Sequence, residues 1–191
     1  MAGFDICSDD YFEGVYYIQN FKVGDNRGGF TKCFEKGIYR QGGIDMSVYE
    51  TFASVSAKNV IRGLHFQLNN PQAKLVSVLK GAVLDVIVDI RKESETFGKW
   101  KFYELSADKA NALFIPRGFA HGFMSEEDGT IMLYQCDGAY DKESDTGIRF
   151  DDKDIGIEWP INLENAVCSE RDKGLMSFKE YCKVVSYGGE N

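Results

Sequence analysis

The stretch "KLVSVLKGAVLDVIVDI", residues 74–90, carries the strongest periodic signal in this sequence. Valine, leucine and isoleucine dominate two apolar runs, and the dipeptide "KG" at 80–81 separates them as a turn does. The second run has a two-residue rhythm, with Asp85 and Asp89 on one side of the strand and only apolar residues on the other. The stretch therefore predicts two consecutive β-strands.

Further strand candidates lie on both sides of this stretch at short, regular spacing. They are "VIRGLHFQ" at 60–67, "KWKFYELS" at 99–106, "NALFIP" at 111–116, "GFAHGFMS" at 118–125 and "TIMLYQCDGAY" at 130–140. Repeated short strands separated by turn residues predict an all-β sandwich or barrel. Helical signals are confined to the ends, mainly "ERDKGLMSFKEYCKVV" near the C terminus. We predict a single β-barrel domain over residues 1–191, with short flanking helices.

Composition limits the class of protein. The chain has 191 residues, of which 43% are hydrophobic and 14% aromatic, which suits one domain with a large core. A formal net charge of -8 argues against a general binder of nucleic acid or of anionic membranes. The five cysteines are scattered and never in CxxC spacing, which indicates reduced thiols. Because the N terminus lacks signal-peptide features and no apolar run is long enough to span a bilayer, we expect a cytoplasmic protein.

The chain has only two histidines, His65 and His121, and both lie in strand candidates. Each is either a core histidine whose hydrogen bonds are satisfied or part of a functional site. The neighbouring Gly63 and Gly122 support the second possibility, because glycine permits close backbone approach. Catalytic zinc and iron sites usually have three protein ligands. Two histidines without an HxH pair are a poor metal site, so we predict no metal.

Arg62 precedes His65 by three residues in an apolar strand. A buried arginine needs an anionic partner, which is either an internal carboxylate or a substrate phosphate. Strict alternation puts Arg62 on one face of the strand and His65 and Gln67 on the other. Either a bulge near Gly63 brings Arg62 and His65 into one cavity, or they point to different places.

Four further candidate residues have weaker signals. Arg27 lies within "GDNRGGF" at 24–30, which reads as a hairpin. Tyr134 and Tyr140 straddle a turn, where core packing with hydroxyls at the rim is the ordinary role. Asp172 follows an acidic and a basic residue, and the charge pattern alone predicts a solvated helix start.

Taken in order, a series of short segments resembles the dTDP-4-dehydrorhamnose 3,5-epimerase family. The segments are "DNRGGF", "VIRGLHFQ", "PQAKLVSVLKGAVLDVIVDIR", "ETFGKW", "LFIPRGFAHGF", "YQCDGAY", "GIRFDDKDIGIEWP" and "CSERD". The resemblance covers nearly the whole chain and is specific, because several uncommon short sequence motifs recur in the same order. It implies a cupin-type jelly-roll β-barrel that acts as a homodimer without metal or cofactor. It also implies inversion of carbons 3 and 5 of a nucleotide-linked 4-keto-6-deoxyhexose.

The resemblance also implies roles for individual residues. His65 would be the base that removes the α-protons, oriented by Asp172. Lys74 would stabilise the enolate at the keto oxygen, and Tyr134 would return a proton from the opposite face. The positions implied to bind substrate are Arg27, Lys32, Arg62, Gln67, His121, Tyr140, Asp145 and Arg171. These roles agree with acid–base chemistry beside a ketone, which needs no redox step and no nicotinamide.

The sequence departs from the family pattern at the nucleotide end. Lys32 stands where the family usually has a glutamate that meets thymine, and Glu50 and Phe52 replace a Gln-x-Asn pair. Asp145 replaces a later glutamate, and Thr146 replaces the arginine that follows it. Either the preferred base differs, with cytosine a candidate, or Lys32 points into solvent and thymidine is still bound.

Several alternatives share the same barrel. A single-centre epimerase, or one that uses a CDP- or GDP-linked sugar, would need the same base, lysine and tyrosine. A sugar-nucleotide 3,4-ketoisomerase ranks lower because the residue set favours an epimerase. A non-catalytic sugar-binding cupin would need no base, and a metal-dependent cupin oxygenase is disfavoured by the histidine count.

Overall fold

The computed structural model describes residues 3–187, which form a barrel of antiparallel strands with few helices. Its strands are β1 (Asp5–Ser8), β2 (Tyr16–Gln19), β3 (Phe21–Asp25), β4 (Gly28–Lys32), β5 (Glu50–Ser56), β6 (Ile61–Gln67), β7 (Lys74–Lys80), β8 (Ala82–Asp89), β9 (Trp100–Ser106), β10 (Asn111–Ile115), β11 (Phe119–Ser125), β12 (Thr130–Cys136) and β13 (Asp145–Gly147). Its helices are α1 (Lys36–Gln41), α2 (Glu170–Lys173) and α3 (Phe178–Tyr187), with a 3-10 turn at Leu163–Asn165. None of the helices in this part of the chain is long and apolar enough to cross a membrane.

Two sheets face each other across the core. The six-stranded sheet has the order β1-β2-β10-β7-β12-β5, and the five-stranded sheet has the order β13-β6-β11-β8-β9. Strands β3 and β4 form a separate hairpin. This arrangement confirms the predicted all-β, cupin-type jelly roll, and the hairpin expected at residues 24–30 is also confirmed.

The turn at 80–81 carries the chain from one sheet to the other. β7 belongs to the six-stranded sheet and β8 to the five-stranded sheet, so the two predicted strands face each other across the core. Gly81 makes this possible because its φ is +76° and a Cβ there would lie 2.5 Å from Thr130 Oγ1. Val76 and Val83 point into the same apolar cluster between the sheets.

A second apolar cluster explains why β8 is apolar on both faces. Val86 and Val88 point away from the barrel interior and pack under the C-terminal segment, which contributes Trp159 and Tyr181. A sheet covered on both faces loses the simple alternation of an exposed strand. A third cluster lies under α1, around Tyr39.

The helices match the prediction near the C terminus, where the helical segment divides into α2 and α3. The break follows Gly174, which ends α2. Helix α1 lies outside the helical signal near the C terminus. Its six residues are held by packing against the six-stranded sheet, a tertiary contact that a short local pattern does not predict.

Candidate active site

A cavity of about 480 Å³ opens between the two sheets. The five-stranded sheet contributes Arg62, His65, Gln67 and His121 to its lining. The six-stranded sheet contributes Phe52, Ser54, Lys74 and Tyr134. The volume is typical of a small-molecule site, and polar groups converge on it from both walls.

A bulge in β6 brings Arg62 and His65 into this one cavity. Along β11, His121 pairs with His65 and Phe123 pairs with Arg62, so one residue of β11 faces two residues of β6. Such an insertion shifts the alternation by one position and re-aims the side chains beyond it. The structure therefore favours the first of the two arrangements left open by the sequence.

Two glycines make the bulge possible. A Cβ at Gly63 would lie 2.6 Å from Gly122 Cα, and a Cβ at Gly122 would lie 2.6 Å from the carbonyl oxygen of Arg62. Gly63 also has a φ of +125°, which side chains rarely adopt. The expectation that these glycines permit close backbone approach is confirmed.

His65 and Asp172 form a hydrogen-bonded pair. His65 Nε2 lies 2.9 Å from Asp172 Oδ1, and the backbone N–H of Gly63 donates to Asp172 Oδ2 over 3.2 Å. Asp172 is 4% exposed, so the charge-pattern interpretation of a solvated helix start is wrong. The start of α2 does carry exposed charges at Glu170 and Arg171, but the third residue of this turn points inward to β6.

The hydrogen bonds at Asp172 keep its carboxylate ionised. Burial alone would raise the pKa of Asp172, but the hydrogen bonds and charge of His65 and the N–H of Gly63 outweigh it and lower that pKa. An ionised carboxylate can only accept, so His65 Nε2 carries the proton. The other ring nitrogen, Nδ1, makes no hydrogen bond within residues 3–187. The side chain of His65 is 28% exposed where it lines the cavity.

Lys74 enters the cavity from β7. Its Nζ lies 3.5 Å from the backbone carbonyl of His65, and no carboxylate of residues 3–187 forms an ion pair with it. Burial lowers the pKa of Lys74, while Cys136, Asp145 and Asp85 oppose that shift. A cation without a fixed counter-ion beside the cavity suits an anionic or polarised oxygen of a ligand.

Tyr134 is buried on the opposite wall. Its ring stacks on Phe52 with centroids 4.8 Å apart and meets the edge of His121 at 5.9 Å. Burial raises the pKa of Tyr134, and the negative charge of Asp85 adds to that shift. The phenol therefore remains protonated and able to donate at neutral pH.

A second histidine–aspartate pair lies below Tyr134. His121 Nε2 is 2.8 Å from Asp85 Oδ2, and both side chains are buried. Burial raises the pKa of Asp85, and the charge and hydrogen bond of His121 oppose that shift. Asp85 Oδ1 has no hydrogen-bond partner in the described chain. Asp85 was not among the predicted site residues, although an acidic residue that faces inward on an apolar strand was a signal for it.

Three charged or polar groups meet at the rim. Asp145 Oδ2 accepts hydrogen bonds from Tyr140 Oη over 3.0 Å and from Arg171 Nη2 over 2.7 Å. Gln67 is fixed below them, since its amide donates to the carbonyl of Asn70 and accepts from the backbone N–H of Asp141. The structure thus brings these four predicted substrate-binding residues to the cavity or its rim.

Arg62 remains available for an anion. Its Nε donates to Ser56 Oγ over 3.1 Å, and its Nη2 donates to a backbone carbonyl of β5. No acidic side chain in the part of the chain that is described pairs with it. The sequence left two partners open for this partly buried arginine, an internal carboxylate or a substrate phosphate. The internal carboxylate is not found among the described residues.

Arg27 and Lys32 lie apart from the cavity lining in a single chain. Both belong to the β3–β4 hairpin, where Arg27 pairs with Asp25 and Lys32 with Glu35, each at 2.6 Å. Their predicted contact with substrate stays a prediction.

The residues that depart from the family pattern at β5 do line the cavity. Glu50 Oε1 accepts a hydrogen bond from Gln72 Nε2 over 2.9 Å, and Phe52 covers one face of Tyr134.

Within residues 3–187, no three histidine, cysteine, aspartate or glutamate side chains are grouped so that they could hold a metal ion.

A jelly roll whose sheets enclose a cavity with converging polar groups defines a cupin-type protein with a small-molecule pocket. The family model described as dTDP-4-dehydrorhamnose 3,5-epimerase matches residues 10–180. An enzyme of that name from Methanothermobacter thermautotrophicus is 40% identical over 169 residues, which cover 88% of this chain and 91% of the relative. The chain belongs to the dTDP-4-dehydrorhamnose 3,5-epimerase family.

Solved structures agree with this membership. The dTDP-4-dehydrorhamnose 3,5-epimerase of Bacillus anthracis, with TDP and PPi bound, has a TM-score of 0.86 and 37% identity, covering 92% of this chain and 99% of that one. The dTDP-6-deoxy-D-glucose-3,5-epimerase of Legionella pneumophila, in complex with dTDP-4-keto-L-rhamnose, has a TM-score of 0.86 and 36% identity, covering 91% and 92%.

Proposed function

We propose that this protein inverts carbons 3 and 5 of dTDP-4-dehydro-6-deoxyglucose, giving dTDP-4-dehydrorhamnose. The observation that carries the proposal is the arrangement of acid–base groups in one cavity. The His65–Asp172 pair lies on one wall, and the buried Tyr134 and the unpaired Lys74 lie on the other. A sugar between these walls has a base on one face and a donor on the other.

The chemistry follows from the acidity of a proton beside a ketone. His65 Nδ1 takes the proton, and the electron pair of the C–H bond moves onto the keto oxygen to form an enolate. Lys74 stabilises that charge more in the transition state than in the ground state. Tyr134 Oη then protonates the same carbon from the opposite face, and the keto group reforms. This first inversion leaves His65 protonated and Tyr134 ionised. His65, which is partly exposed, returns its proton to water, and Tyr134 regains a proton from water. The same steps at the second carbon then invert both centres with no net change of oxidation state.

The remaining residues suit the nucleotide diphosphate and the sugar. Arg62 is a guanidinium without an internal acid partner, which fits a diphosphate oxygen. The rim group of Tyr140, Asp145 and Arg171 offers both donors and acceptors to a sugar. His121 and Gln67 lie deeper in the same cavity.

The preferred base is a separate question. We propose thymidine, because Lys32 is engaged by Glu35 and so does not need to face the base. Inhibition by dTDP is expected to be stronger than inhibition by CDP. A clear preference for CDP would instead assign the base contact to Lys32 and make cytosine the natural partner.

We also propose that the protein is a homodimer, as the resemblance implies, and that each chain is a single domain. Its cytoplasmic location stays a prediction. The β3–β4 hairpin supports association, because Val23 and Phe30 on it are exposed apolar side chains. Light scattering after size exclusion should give twice the mass of the chain. A monomer would refute the dimer and leave the epimerase proposal intact.

Proton exchange in deuterated water with dTDP-4-dehydro-6-deoxyglucose, followed by NMR, tests the activity. Deuterium at both C3 and C5 of the inverted product is expected. Deuterium at one carbon would make the protein a single-centre epimerase. Absence of exchange with this sugar and with its CDP- and GDP-linked counterparts would favour the non-catalytic sugar-binding cupin.

A further inference from the structure

An exposed aromatic ring, Phe52, lies in the wall of this cavity. Phe52 is on β5, the edge strand of the six-stranded sheet, and is directly opposite Tyr134 in the β5–β12 register. The two rings are nearly parallel, with an interplanar angle of 12° and centroids 4.8 Å apart. Phe52 is 47% exposed, so it covers Tyr134 without being a core residue itself.

Tyr134 belongs to the apolar cluster between the sheets and is 9% exposed, and two aromatic side chains contact its ring. Phe52 covers one face, and His121 meets the ring edge-on, where it is fixed in turn by Asp85. His121 is therefore rigidly held where it contacts the Tyr134 ring. On the side toward the edge strand, Phe52 makes the stacked contact with that ring. A parallel aromatic pair restricts rotation of the ring about its side-chain bonds and keeps water off its face.

We propose that Phe52 is a positioning residue that holds Tyr134 in line to deliver its proton to the sugar. This inference rests on the proposed function, because it concerns the protonation half of the reaction. Phe52 carries no group that exchanges protons, so its effect passes through Tyr134.

The two halves of the reaction can be separated by following the proton. Once His65 has removed a proton, the enolate either receives one from Tyr134, which inverts the carbon, or from His65 again, which restores it. Because His65 is partly exposed, its proton exchanges with deuterated water before return. Return from His65 therefore leaves deuterium in sugar that has not been inverted. If Tyr134 is displaced, a larger fraction of the deuterated sugar should be sugar that has not been inverted.

The test is the Phe52→Ala variant, measured as initial rates in deuterated water. Inversion should fall about 3- to 10-fold relative to exchange, the range expected for loss of one aromatic pair. KM should change little. Phe52→Tyr keeps the flat ring and should restore the wild-type ratio, while Phe52→Leu keeps apolar volume without the flat face and should restore it only partly. Val55→Ala, on the same strand and 64% exposed, is the matched control and should match the wild type.

A second comparison excludes a general loss of structure. In the Tyr134→Phe background, Phe52→Ala should leave the exchange rate unchanged, since the group it positions no longer carries a proton. A wild-type ratio in Phe52→Ala would overturn this inference while leaving the epimerase intact. A raised KM with an unchanged ratio would also overturn it and make Phe52 a substrate contact. Wild-type protein that neither exchanges nor inverts would refute the proposed function, and this inference with it.

Discussion

Replacing Asp172 by asparagine changes one atom and tests the base directly. In the wild type, Asp172 Oδ2 accepts the N–H of Gly63 at 3.2 Å and Oδ1 accepts the proton of His65 Nε2 at 2.9 Å. An asparagine has one oxygen and one NH₂ group to meet these two donors. If the NH₂ group faced Gly63, two donors would be about 3 Å apart with no acceptor between them, which costs roughly 1–3 kcal/mol.

The favoured orientation therefore puts the asparagine NH₂ group toward His65. His65 Nε2 must then accept, so the ring proton moves to Nδ1, the nitrogen left to face the substrate. A protonated Nδ1 cannot remove a proton from carbon. We expect turnover to fall on the order of 10³- to 10⁴-fold, as when a carboxylate that sets a histidine tautomer is replaced by an amide.

The assay is the initial rate of deuterium incorporation and of inversion over a range of pH, together with thermal unfolding. Raising the pH should not restore activity, because the tautomer and not the ionisation state is wrong. Asp172→Asn should unfold close to the wild-type temperature since the Gly63 contact is kept, whereas Asp172→Ala leaves that N–H unpaired. Asp151→Asn, which alters a carboxylate paired with Arg149 away from the cavity, is the control. Turnover within tenfold of the wild type in Asp172→Asn would refute the assigned pair.

Three other substitutions test other parts of the site. Tyr134→Phe should keep deuterium exchange and lose inversion, measured by NMR; inversion at the wild-type rate would exclude Tyr134 as the donor. Lys74→Met should lower turnover roughly 10²- to 10³-fold. The unfolding temperature should not fall, because the change replaces a partly buried cation that has no ion pair in residues 3–187. Unchanged turnover would exclude Lys74 from enolate stabilisation. Gly63→Ala should destabilise the fold by roughly 3 kcal/mol or more, since its Cβ would overlap Gly122. Gly37→Ala, where nothing lies within 4 Å of the added Cβ, is the control for the glycine change and should be neutral or slightly stabilising in a thermal melt.

The fold was predictable because its strands are short and apolar and are separated by turn residues. The break at 80–81 could be located from a single glycine, which the structure holds at a φ of +76°. The partner of each strand could not be located in the same way. β7 and β8 are consecutive, yet they lie in different sheets, and β8 pairs with β9 and β11 instead. A strand pattern specifies which side is buried, but the strand beside it depends on contacts distant in sequence.

The site shows the same limit more sharply, because each of its key contacts joins distant parts of the chain. The charge pattern around Asp172 is that of a surface turn. The residue becomes a partner for His65, 107 positions away in the sequence, only because α2 packs against β6. The bulge that aims Arg62 and His65 into one cavity needs Gly122 of β11 as well as Gly63 of β6. Asp85 could be assigned to the inward face by alternation alone, but its meaning depends on His121, which approaches from the neighbouring strand. Local pattern therefore predicts which polar residues are buried, while the chemistry of each is decided by the residue that the sheet register brings against it. That is why family resemblance could indicate Asp172 when its own neighbours in the sequence indicated solvent.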